Sequence, residues 1–331
     1  MAKFTRDIID RFRNVVIQIA TPYSTGTGFY LKEYGLIVTN EHVVRDNKEV
    51  VIDGKGIDKQ LVKVRYVDPN YDLSFLSPPE GGQLPEVKFE ELENYQEGDS
   101  VIAIGHPFGL KYSATEGIIS NIRHEQNNIN YIQHDAALNP GNSGGPLLNR
   151  DGRIIGVNTF IIRDGNNIGF SLPVRYLRET LNEFLERRGV NAMRCNSCLN
   201  IVFEDKMEDG YCPFCGSKIK SISEIEAYEP FGVNKTIEEM LIGLGYNIDL
   251  SRRGPNNWQI NKGSALINIS YHEKSGLIVG DAYLCLLPKE NIKPLYEYLL
   301  RQNYKLNNLT FSVKNQDIII SLLIYDQYLK A

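Results

Sequence analysis

A serine set among glycines is the part of this 331-residue sequence that best suits covalent chemistry. Ser143 lies in the stretch 139–147 (NPGNSGGPL), with Gly141 before it and Gly144 and Gly145 directly after it. A nucleophilic serine needs a tight turn that exposes its hydroxyl, and nearby backbone N–H groups that stabilise a developing oxyanion. Glycine adopts the backbone angles that such a turn requires. The string could also be an ordinary turn, so the chemistry depends on finding a base and an acid elsewhere.

His42 and Asp72 are the candidates for those two roles. Each lies at the edge of an apolar, strand-like run, where a polar turn begins. The chain order of His42, Asp72 and Ser143 is that of the chymotrypsin-type triad rather than that of subtilisin or the α/β-hydrolases. Asp68 is a rival acid, but it precedes Pro69, which favours a turn, whereas Asp72 borders the strand-like run. We therefore predict His42 as the general base, Asp72 as the orienting acid and Ser143 as the nucleophile.

The other histidines, and an aspartate near the nucleophile, are interpreted as structural or solvent-facing residues. His106 lies in a Gly-His-Pro turn, and no motif places His124 or His134. Asp135 is interpreted as structural, and His272 lies in a later domain.

Seven motifs occur in a fixed order between residues 15 and 185. They are GTGF (26–29), VTNEHVV (38–44), YDL (71–73), IGHPFG (104–109), DAALNPGNSGGPL (135–147), IGVNT (155–159) and IGFSLPV (168–174). Together they resemble the trypsin-like serine proteases of the HtrA (Do-like) family over somewhat more than half of the chain. The resemblance implies an all-β, double β-barrel, chymotrypsin-like fold and a serine endopeptidase. It also implies an oxyanion hole formed by the N–H groups of Gly141 and Ser143.

The residue before the nucleophile is Asn142. Digestive trypsin-like enzymes carry an aspartate there, which captures a new N-terminal amine after zymogen cleavage. An asparagine cannot form that ion pair, so activation by N-terminal cleavage is not expected. The HtrA resemblance instead implies a switch that orders the loops around the active site.

The same resemblance places the walls of a specificity pocket. No acid occurs at Leu138, where one would be needed to receive a lysine or arginine side chain. An apolar and fairly small pocket suited to aliphatic side chains is therefore predicted. Its predicted lining residues are Leu138, Thr159, Phe160 and Ile161.

Composition and the N-terminal residues bear on location and partners. The formal net charge of −5 gives no general attraction for nucleic acid or anionic membranes. The first residues lack the apolar segment of an export signal, and no apolar run has the length of a membrane span. Phe4, Ile8, Ile9 and Phe12 recur at helical spacing and predict an amphipathic helix that packs on the barrel, with a membrane-surface helix as the alternative. We therefore predict a cytoplasmic bacterial protein without nucleic-acid or membrane partners, although familiar HtrA proteins are mostly exported or anchored.

Two Cys-x-x-Cys pairs follow the protease-like region. Two such knuckles can complete a tetrahedral Cys₄ shell for one structural zinc ion. Disulfides or a redox pair are the alternatives, which a cytoplasmic location and the paired motifs disfavour. The pattern resembles a zinc ribbon, and metal removal is expected to loosen residues 193–218 without directly removing the triad. The predicted ligands are Cys195, Cys198, Cys212 and Cys215, and the fifth cysteine, Cys285, is predicted to be buried in a core.

The remaining residues predict an α-β-β-β-α-β-β order. A helix over 234–245 is followed by strands near 258–260, 265–272 and 277–287, a helix near 290–302, and strands near 310–314 and 317–324. This order resembles the type III secretion chaperone fold, whose domains dimerise and bind extended protein segments. A packing domain without a ligand is the alternative. No PDZ domain is recognised in this region.

These patterns predict a multidomain chain. The domains are a protease domain with an N-terminal helix (1–190), a zinc ribbon (191–222) and a C-terminal α+β domain (223–331). The predicted function is an ATP-independent serine endopeptidase that cleaves protein substrates and is regulated by its C-terminal domains, through an activating protein partner or self-association. The alternative is a non-proteolytic adaptor that uses a protease fold to bind proteins.

Overall fold

The computed structural model describes residues 2–82, 84–106, 112–162 and 168–329, and, within its helices and strands, leaves aside the side chains of residues 2–4 and 160–162. The chain divides into two compact units, Met1–Ala227 and Tyr228–Ala331. The first unit contains the protease-like region and the cysteine knuckles. No described helix is both long and apolar enough to cross a membrane.

The first part of the first unit is a ring of six antiparallel strands. These are β1 (Val16–Ala20), β2 (Thr25–Leu31), β3 (Leu36–Thr39), β4 (Glu49–Gly54), β5 (Ile57–Asp68) and β6 (Leu73–Leu76), with helices α1 (Ala2–Phe12) before them and α2 (Glu41–Val44) after β3. Their order is β5-β4-β1-β2-β3-β6, and β5 also pairs with β6, which closes the ring.

The alternation of side chains along β5 shows how the sequence directs this barrel. Val62, Val64, Tyr66 and Asp68 are buried, whereas the residues that alternate with them, at positions 61, 63, 65 and 67, are half-buried or exposed. Because successive strand residues point to opposite faces, a two-residue repeat places one face in the core. The carboxyl group of Asp68 is carried into the interior by the same register.

A second closed barrel follows. Its strands are β7 (Ser100–Gly105), β8 (Ser113–Gln126), β9 (Ile129–His134), β10 (Pro146–Leu148), β11 (Ile154–Ile162) and β12 (Ile168–Pro173), in the order β10-β11-β12-β9-β8-β7. Helix α3 (Val174–Leu185) follows β12 and buries Leu177, Leu181 and Phe184. Two six-stranded barrels confirm the predicted chymotrypsin-like double barrel.

Helix α1 packs on the protein, as the spacing of its apolar residues predicts. Ile8 and Phe12 are buried in the core. The Arg11 guanidinium donates to the carbonyl of Gly152 at 2.7 Å, and the Tyr112 hydroxyl donates to the carbonyl of Ile9 at 2.8 Å.

A short hairpin after α3 extends the first barrel. Strand β13 (Ala192–Arg194) pairs in parallel with β5, with Ala192 opposite Tyr66, and β14 (Ile201–Phe203) pairs with β13. The first cysteine knuckle lies between these two strands, so the knuckle is attached to the barrel through backbone pairing.

The second unit is an antiparallel sheet with helices. Its elements are α4 (Gly232–Gly243), α5 (Ile248–Ser251), β15 (Arg252–Gly254), β16 (Asn257–Lys262), β17 (Ala265–His272), β18 (Leu277–Leu286), α6 (Ile292–Asn303), β19 (Leu309–Lys314) and β20 (Asp317–Tyr325). The sheet order is β15-β16-β17-β18-β20-β19. The predicted order of main helices and strands is present, and Asn315 and Gln316, both with positive φ, form the last hairpin turn.

Two details of this unit differ from the sequence prediction. Helix α4 begins at Gly232 rather than at Asn234, whose amide instead donates to Asn256. Cys285 is exposed rather than buried, because the end of β18 projects beyond the covered part of the sheet, where Leu284 and Leu286 are exposed as well.

Candidate active site

His42 and Asp72 lie together at the rim of the first barrel. His42 is carried by α2, directly after β3, and Asp72 by the turn before β6. The Asp72 Oδ2 atom is 2.8 Å from His42 Nδ1, and Asp72 Oδ1 accepts the backbone N–H of His42 at 3.0 Å. The two side chains are 36% and 20% exposed, so the imidazole is open to a reacting group on one side. A carboxylate on Nδ1 favours the tautomer that leaves Nε2 free to accept a proton.

Asp72 is held in a conformation that non-glycine residues rarely adopt. Its φ is 52°, in the left-handed region. Such a conformation costs free energy and persists where the surroundings fix it. One fixing contact is the Asn40 side-chain amide, which donates to the Asp72 carbonyl at 2.7 Å.

Asp68, the rival acid, contacts other groups. It is fully buried, and its Oδ2 accepts the Tyr66 hydroxyl at 2.8 Å and the Arg194 Nε–H at 2.5 Å. Burial, together with the nearby carboxylate, raises the pKa of Tyr66 well above its ordinary value, so the phenol stays a donor. The geometry therefore places Asp72, and not Asp68, against the histidine.

Ser143 lies on a turn whose shape depends on glycine. Gly141 and Gly144 have φ values of 103° and 84°. A Cβ atom on Gly144 would lie 2.2 Å from the Thr27 carbonyl oxygen, so no other residue fits there without displacement. The turn is tied to strand β11, since Gly144 N–H donates to the Asn158 carbonyl at 2.8 Å.

Thr27 of β2 fixes the segment that would form the oxyanion hole. Its hydroxyl donates to the Gly141 carbonyl at 2.6 Å and accepts the His106 N–H at 2.9 Å, and its own N–H donates to the Ser143 carbonyl at 2.8 Å. Within the described residues, the N–H groups of Gly141 and Ser143 have no hydrogen-bond partner. Both predicted oxyanion donors are therefore available to a ligand.

The Ser143 hydroxyl points to the second barrel. It donates to the Thr159 carbonyl at 3.3 Å, and no hydrogen bond among the described residues joins it to His42. Catalytic hydrogen bonds of this kind are often long or absent without substrate. The serine turn lies against Asn40, two residues before His42, since a Cβ atom on Gly144 would lie 2.9 Å from Asn40 N, but the serine hydroxyl is turned aside.

Asn142 is buried beside the nucleophile, with 1% of its surface exposed. Neither atom of its side-chain amide has a hydrogen-bond partner among the described residues. Its side chain packs against Gly105, where a Cβ atom would lie 2.7 Å from the amide oxygen. The position holds no charge, in line with the expectation that no N-terminal ion pair forms.

The predicted specificity pocket is described in part. Leu138 is half-buried and packs against the core of the second barrel, and a Cβ atom on Gly169 would lie 3.0 Å from its Cδ1 atom. Thr159 is buried and its hydroxyl donates to the Val157 carbonyl at 3.1 Å. The side chains of Phe160 and Ile161 lie outside the described part of the structure.

A series of buried hydrogen bonds holds the turn that carries Ser143. His134 Nε2 lies 3.0 Å from the Ser171 hydroxyl, which donates to Asn158 Oδ1 at 3.0 Å. The Asn158 backbone binds both Gly144 and Gly145. Burial lowers the pKa of His134 to about 4, so the ring is neutral and donates through Nε2 at neutral pH.

Sequence reasoning did not single out Thr27, Asn158 or Ser171. Their only sequence signal is a small or polar residue at a buried strand position, as in Gly26-Thr27-Gly28. Asp135 has the structural role predicted for it, since its carboxylate accepts the Ile118 N–H at 2.6 Å.

The four predicted cysteine ligands lie together in the first unit. Their sulfur atoms are all within 4.8 Å of one another. The Sγ atoms of Cys195 and Cys215, and those of Cys198 and Cys212, are 3.7 Å apart. A tetrahedral zinc shell with Zn–S bonds of about 2.3 Å requires S···S separations of about 3.8 Å, so the cluster fits zinc.

The two knuckles share one backbone design. Leu199 and Gly216, the residues after the second cysteine of each pair, have φ values of 61° and 73°. Their N–H groups donate to the carbonyls of Cys195 and Cys212. Hydrogen bonds from Ser217 lower the pKa of Cys215 to about 6, whereas burial raises the pKa of Cys212 to about 11.

Comparison with known proteins finds similarity to serine proteases. Residues 26–157 match the family model of the trypsin-like peptidase domain. The chain is 40% identical over 167 residues to a DegP-like periplasmic serine endoprotease of Chlamydia muridarum, covering 48% of this chain and 33% of that protein. It is 36% identical over 197 residues to the mitochondrial serine protease HTRA2 of Bos taurus, covering 54% and 43% of the two chains. A solved HtrA-type protease, AlgW with a tripeptide, superposes with a TM-score of 0.52 and 29% identity over 55% of this chain and 64% of that one.

These relatives also correct one prediction. The chain spans less than half of the length of both curated relatives. The predicted cytoplasmic location is wrong, because two Chlamydia relatives at 40% identity are named as periplasmic enzymes. The N-terminal residues gave a wrong prediction of location because the spacing of apolar residues in helix α1 shows which face of the helix packs on the protein. That spacing carries no information about the compartment.

Proposed function

We propose, from the HtrA-like, trypsin-like peptidase domain that this chain carries, that the protein is a serine endopeptidase acting on protein substrates. The observation that carries the proposal is the 2.8 Å contact between His42 and Asp72 at one rim with a glycine-bounded Ser143. The chemistry requires no nucleotide, because all the groups it uses are side chains and backbone N–H groups.

The proposed reaction uses each of these residues in turn. His42 Nε2 removes the proton of the Ser143 hydroxyl as Oγ attacks the peptide carbonyl, and Asp72 stabilises the imidazolium that forms. The N–H groups of Gly141 and Ser143 stabilise the tetrahedral oxyanion. His42 then protonates the leaving amine, and water attacks the acyl-enzyme with His42 again as the base.

The orientation of Ser143 supports a resting state that must be rearranged before turnover. Its hydroxyl has to leave the Thr159 carbonyl and turn to His42. Asn142 provides no ion pair for N-terminal activation. Both observations support activation by ordering of the loops, in which a ligand shifts the population toward the competent state.

The proposed substrate preference is for an aliphatic residue before the scissile bond. Leu138 supports this, because its side chain lies where a pocket acid would otherwise select a cation. Mass-spectrometric mapping of cleavage sites in an unfolded protein tests the preference. A dominant preference for lysine or arginine would contradict it.

The C-terminal α+β domain is proposed to regulate the protease by binding protein, as the predicted type III secretion chaperone-like fold would allow. Its sheet and last helix expose many large apolar side chains, which is typical of a surface that associates with protein. They include Leu284, Leu286, Tyr296, Tyr298, Leu300, Tyr304, Leu322, Leu323 and Tyr325. Truncation after Ser223 tests the proposal, because unchanged basal and stimulated rates would exclude a regulatory role.

One structural zinc ion is proposed at Cys195, Cys198, Cys212 and Cys215. The sulfur separations support it. The ion would hold the two knuckles together and would not be one of the groups that react with the substrate.

The decisive experiment compares the purified chain with Ser143→Ala on an unfolded protein and on a serine-directed fluorophosphonate. We expect the variant to lose label and at least about 10³-fold in turnover, because triad residues act as a unit. Equal cleavage by both proteins would refute the nucleophile. A parent that neither cleaves nor labels under any activating condition would favour the non-proteolytic adaptor.

A further inference from the structure

Arg194 is a buried cation at the junction of the cysteine cluster and the first barrel. It is the last residue of β13 and directly precedes Cys195. Its side chain is 7% exposed, and Nε lies 2.5 Å from Oδ2 of the fully buried Asp68. An ion pair inside a barrel wall is costly to bury, so removing one partner leaves an uncompensated charge.

Asp68 in turn shapes the turn that carries Asp72. Its Oδ1 accepts the backbone N–H groups of Asn70 at 3.1 Å and Tyr71 at 2.9 Å. The Arg194 guanidinium also covers the Tyr71 ring, 5.0 Å from its centre. One carboxylate therefore closes the turn on one oxygen and holds Arg194 on the other.

The turn that carries Asp72 is also held by the Tyr71 ring, which packs on Tyr176 at 5.0 Å between centroids, and by the two hydrogen bonds of Asp72 to His42. Asp72 has a left-handed φ of 52°, which is strained for an aspartate. The Asn40 amide holds its carbonyl from one side, and the Asp68 cap holds the two preceding residues. If the cap loosens, the strain is released at the residue that orients His42.

Arg194 is also bound to the first cysteine knuckle. Its Nη1 donates to the carbonyl of Leu199 at 2.6 Å, the residue directly after Cys198. Leu199 N–H closes the knuckle on the Cys195 carbonyl at 2.8 Å. Helix α3 holds the guanidinium as well, since Nη2 donates to Thr180 Oγ1 at 3.3 Å and lies 3.6 Å from a Glu183 carboxylate oxygen. The knuckle conformation that a bound metal would stabilise therefore contributes to the position of the guanidinium.

We propose that Asp68 and Arg194 are positioning residues for Asp72, and that metal binding at the four cysteines sets that position. The inference rests on the proposed endopeptidase function. The path of contacts begins at the knuckle residues Cys195 and Leu199 and passes through Arg194 to Asp68. From Asp68 it continues through the N–H groups of Asn70 and Tyr71 to Asp72 and His42. It adds an indirect effect to the sequence-based expectation that metal removal does not directly remove the triad.

The predicted kinetic signature is a loss in kcat with little change in KM. The path ends on the base and its acid, whereas Leu138 and Thr159 of the predicted substrate pocket belong to the other barrel. A merely destabilising change would also lower the apparent kcat, through a smaller folded fraction, so kcat is normalised to the concentration of active sites that a fluorophosphonate titrates. Outer contacts of this kind typically change activity about 10–100-fold.

The first test is Arg194→Met, measured by amide hydrogen exchange in the full-length, metal-loaded chain carrying Ser143→Ala to prevent autolysis. We expect the amides of Asn70 and Tyr71 to exchange at least about tenfold faster, because their cap is loosened. With Ser143 intact, kcat should fall about 10–100-fold with KM within about threefold. Arg187→Met is the matched control, since Arg187 pairs with Asp205 in the same segment, outside the path.

The second test separates the metal from the cap. Metal removal by a chelator, followed by elemental analysis, should speed exchange at Asn70 and Tyr71 in the parent. In the double variant Asp68→Asn/Arg194→Met, the asparagine oxygen can still accept those N–H groups, but the link to the knuckle is gone. Exchange at the turn should then be insensitive to metal. The double variant also removes both buried charges, so it keeps the test available if Arg194→Met does not fold.

The outcomes are distinct. A folded Arg194→Met chain with parental exchange and kcat would overturn the positioning role. Metal removal that exposes residues 195–199 without changing exchange at Asn70 and Tyr71, or a chain that binds no metal, would overturn the coupling. If the chain hydrolyses nothing, the proposed function fails, whereas the exchange results still decide the structural path.

Discussion

Replacing Thr27 by valine is the sharpest test of how the barrel sets the oxyanion hole. Valine has nearly the same shape, so the substitution removes the hydroxyl and little else. Thr27 is fully buried, and its hydroxyl makes hydrogen bonds of 2.6 Å to the Gly141 carbonyl and 2.9 Å from the His106 N–H. Its backbone bond to Ser143 is retained.

The magnitude follows from the two groups that lose a partner. A buried polar group left unsatisfied costs about 1–3 kcal/mol, so the loss of two partners should lower the free energy of unfolding by about 2–6 kcal/mol. Gly141 would also lose the contact that fixes the Gly141–Asn142 peptide plane, which lies between the two N–H groups of the predicted oxyanion hole. Misplacing one oxyanion donor costs about 10²-fold in kcat. We therefore expect a folded enzyme whose kcat falls far more than its KM rises.

Urea unfolding and steady-state cleavage of a peptide substrate measure the two effects. Thr21→Val is the matched control. Thr21 is equally buried in the same barrel, donates to the Ser24 carbonyl and accepts the N–H groups of Tyr23 and Ser24. The Thr21→Val variant should lose a comparable free energy of unfolding and keep the parental kcat.

The reasoning would be refuted by a folded Thr27→Val enzyme with parental kcat. It would also be refuted if both variants lost kcat equally, since stability alone would then account for the change.

Three further results are expected. Gly144→Ala should lose at least about 2 kcal/mol of stability and most activity, because its φ is 84° and a Cβ atom would lie 2.2 Å from the Thr27 carbonyl; circular dichroism melts and rate assays measure both. Between pH 6.5 and about 4 the unfolded chain binds a proton that folded His134 does not, so stability should be full above pH 6.5 and fall by up to about 3 kcal/mol by pH 4. Urea unfolding across that range should show a shallower fall in His134→Gln, and an unchanged slope would exclude His134 as its source. Elemental analysis should find one zinc per chain and none in Cys212→Ser, whose melting temperature should be lower.

The sequence pointed to the candidate triad because its signals are local. Glycines flank Ser143, and His42 and Asp72 each lie at the edge of an apolar run, so each pattern is complete within a few positions. The double barrel followed from the HtrA resemblance that these motifs carry. The cysteine knuckles were also recognisable in the sequence, since each Cys-x-x-Cys motif is complete within four residues.

The roles that the sequence did not predict depend on contacts between residues that are far apart in the chain. Thr27 acquires its role from groups 79 and 114 residues later, and Arg194 meets Asp68 across 126 residues. The sequence showed Asp68 only as a turn residue before a proline, because burial follows from the register of β5. Cys285 misled for the opposite reason, since an apolar run predicts a strand and not whether anything covers its end.

The late pairing of β13 with β5 has a consequence for the newborn polypeptide. The ribosome synthesises His42 and Ser143 before Arg194, which binds the Asp68 carboxylate that closes the turn carrying Asp72. Arg194 comes roughly fifty residues after Ser143, and synthesis of that stretch takes on the order of several seconds at about 5–20 residues per second. During that interval the first barrel can close, but the Asp68 carboxylate has no buried cation beside it. The order of translation would then delay the completion of the turn that carries Asp72. If the proposed positioning role holds, the chain would acquire a fixed acid at Asp72 only after both barrels have been synthesised, and an unfinished molecule would not yet carry out the proposed cleavage.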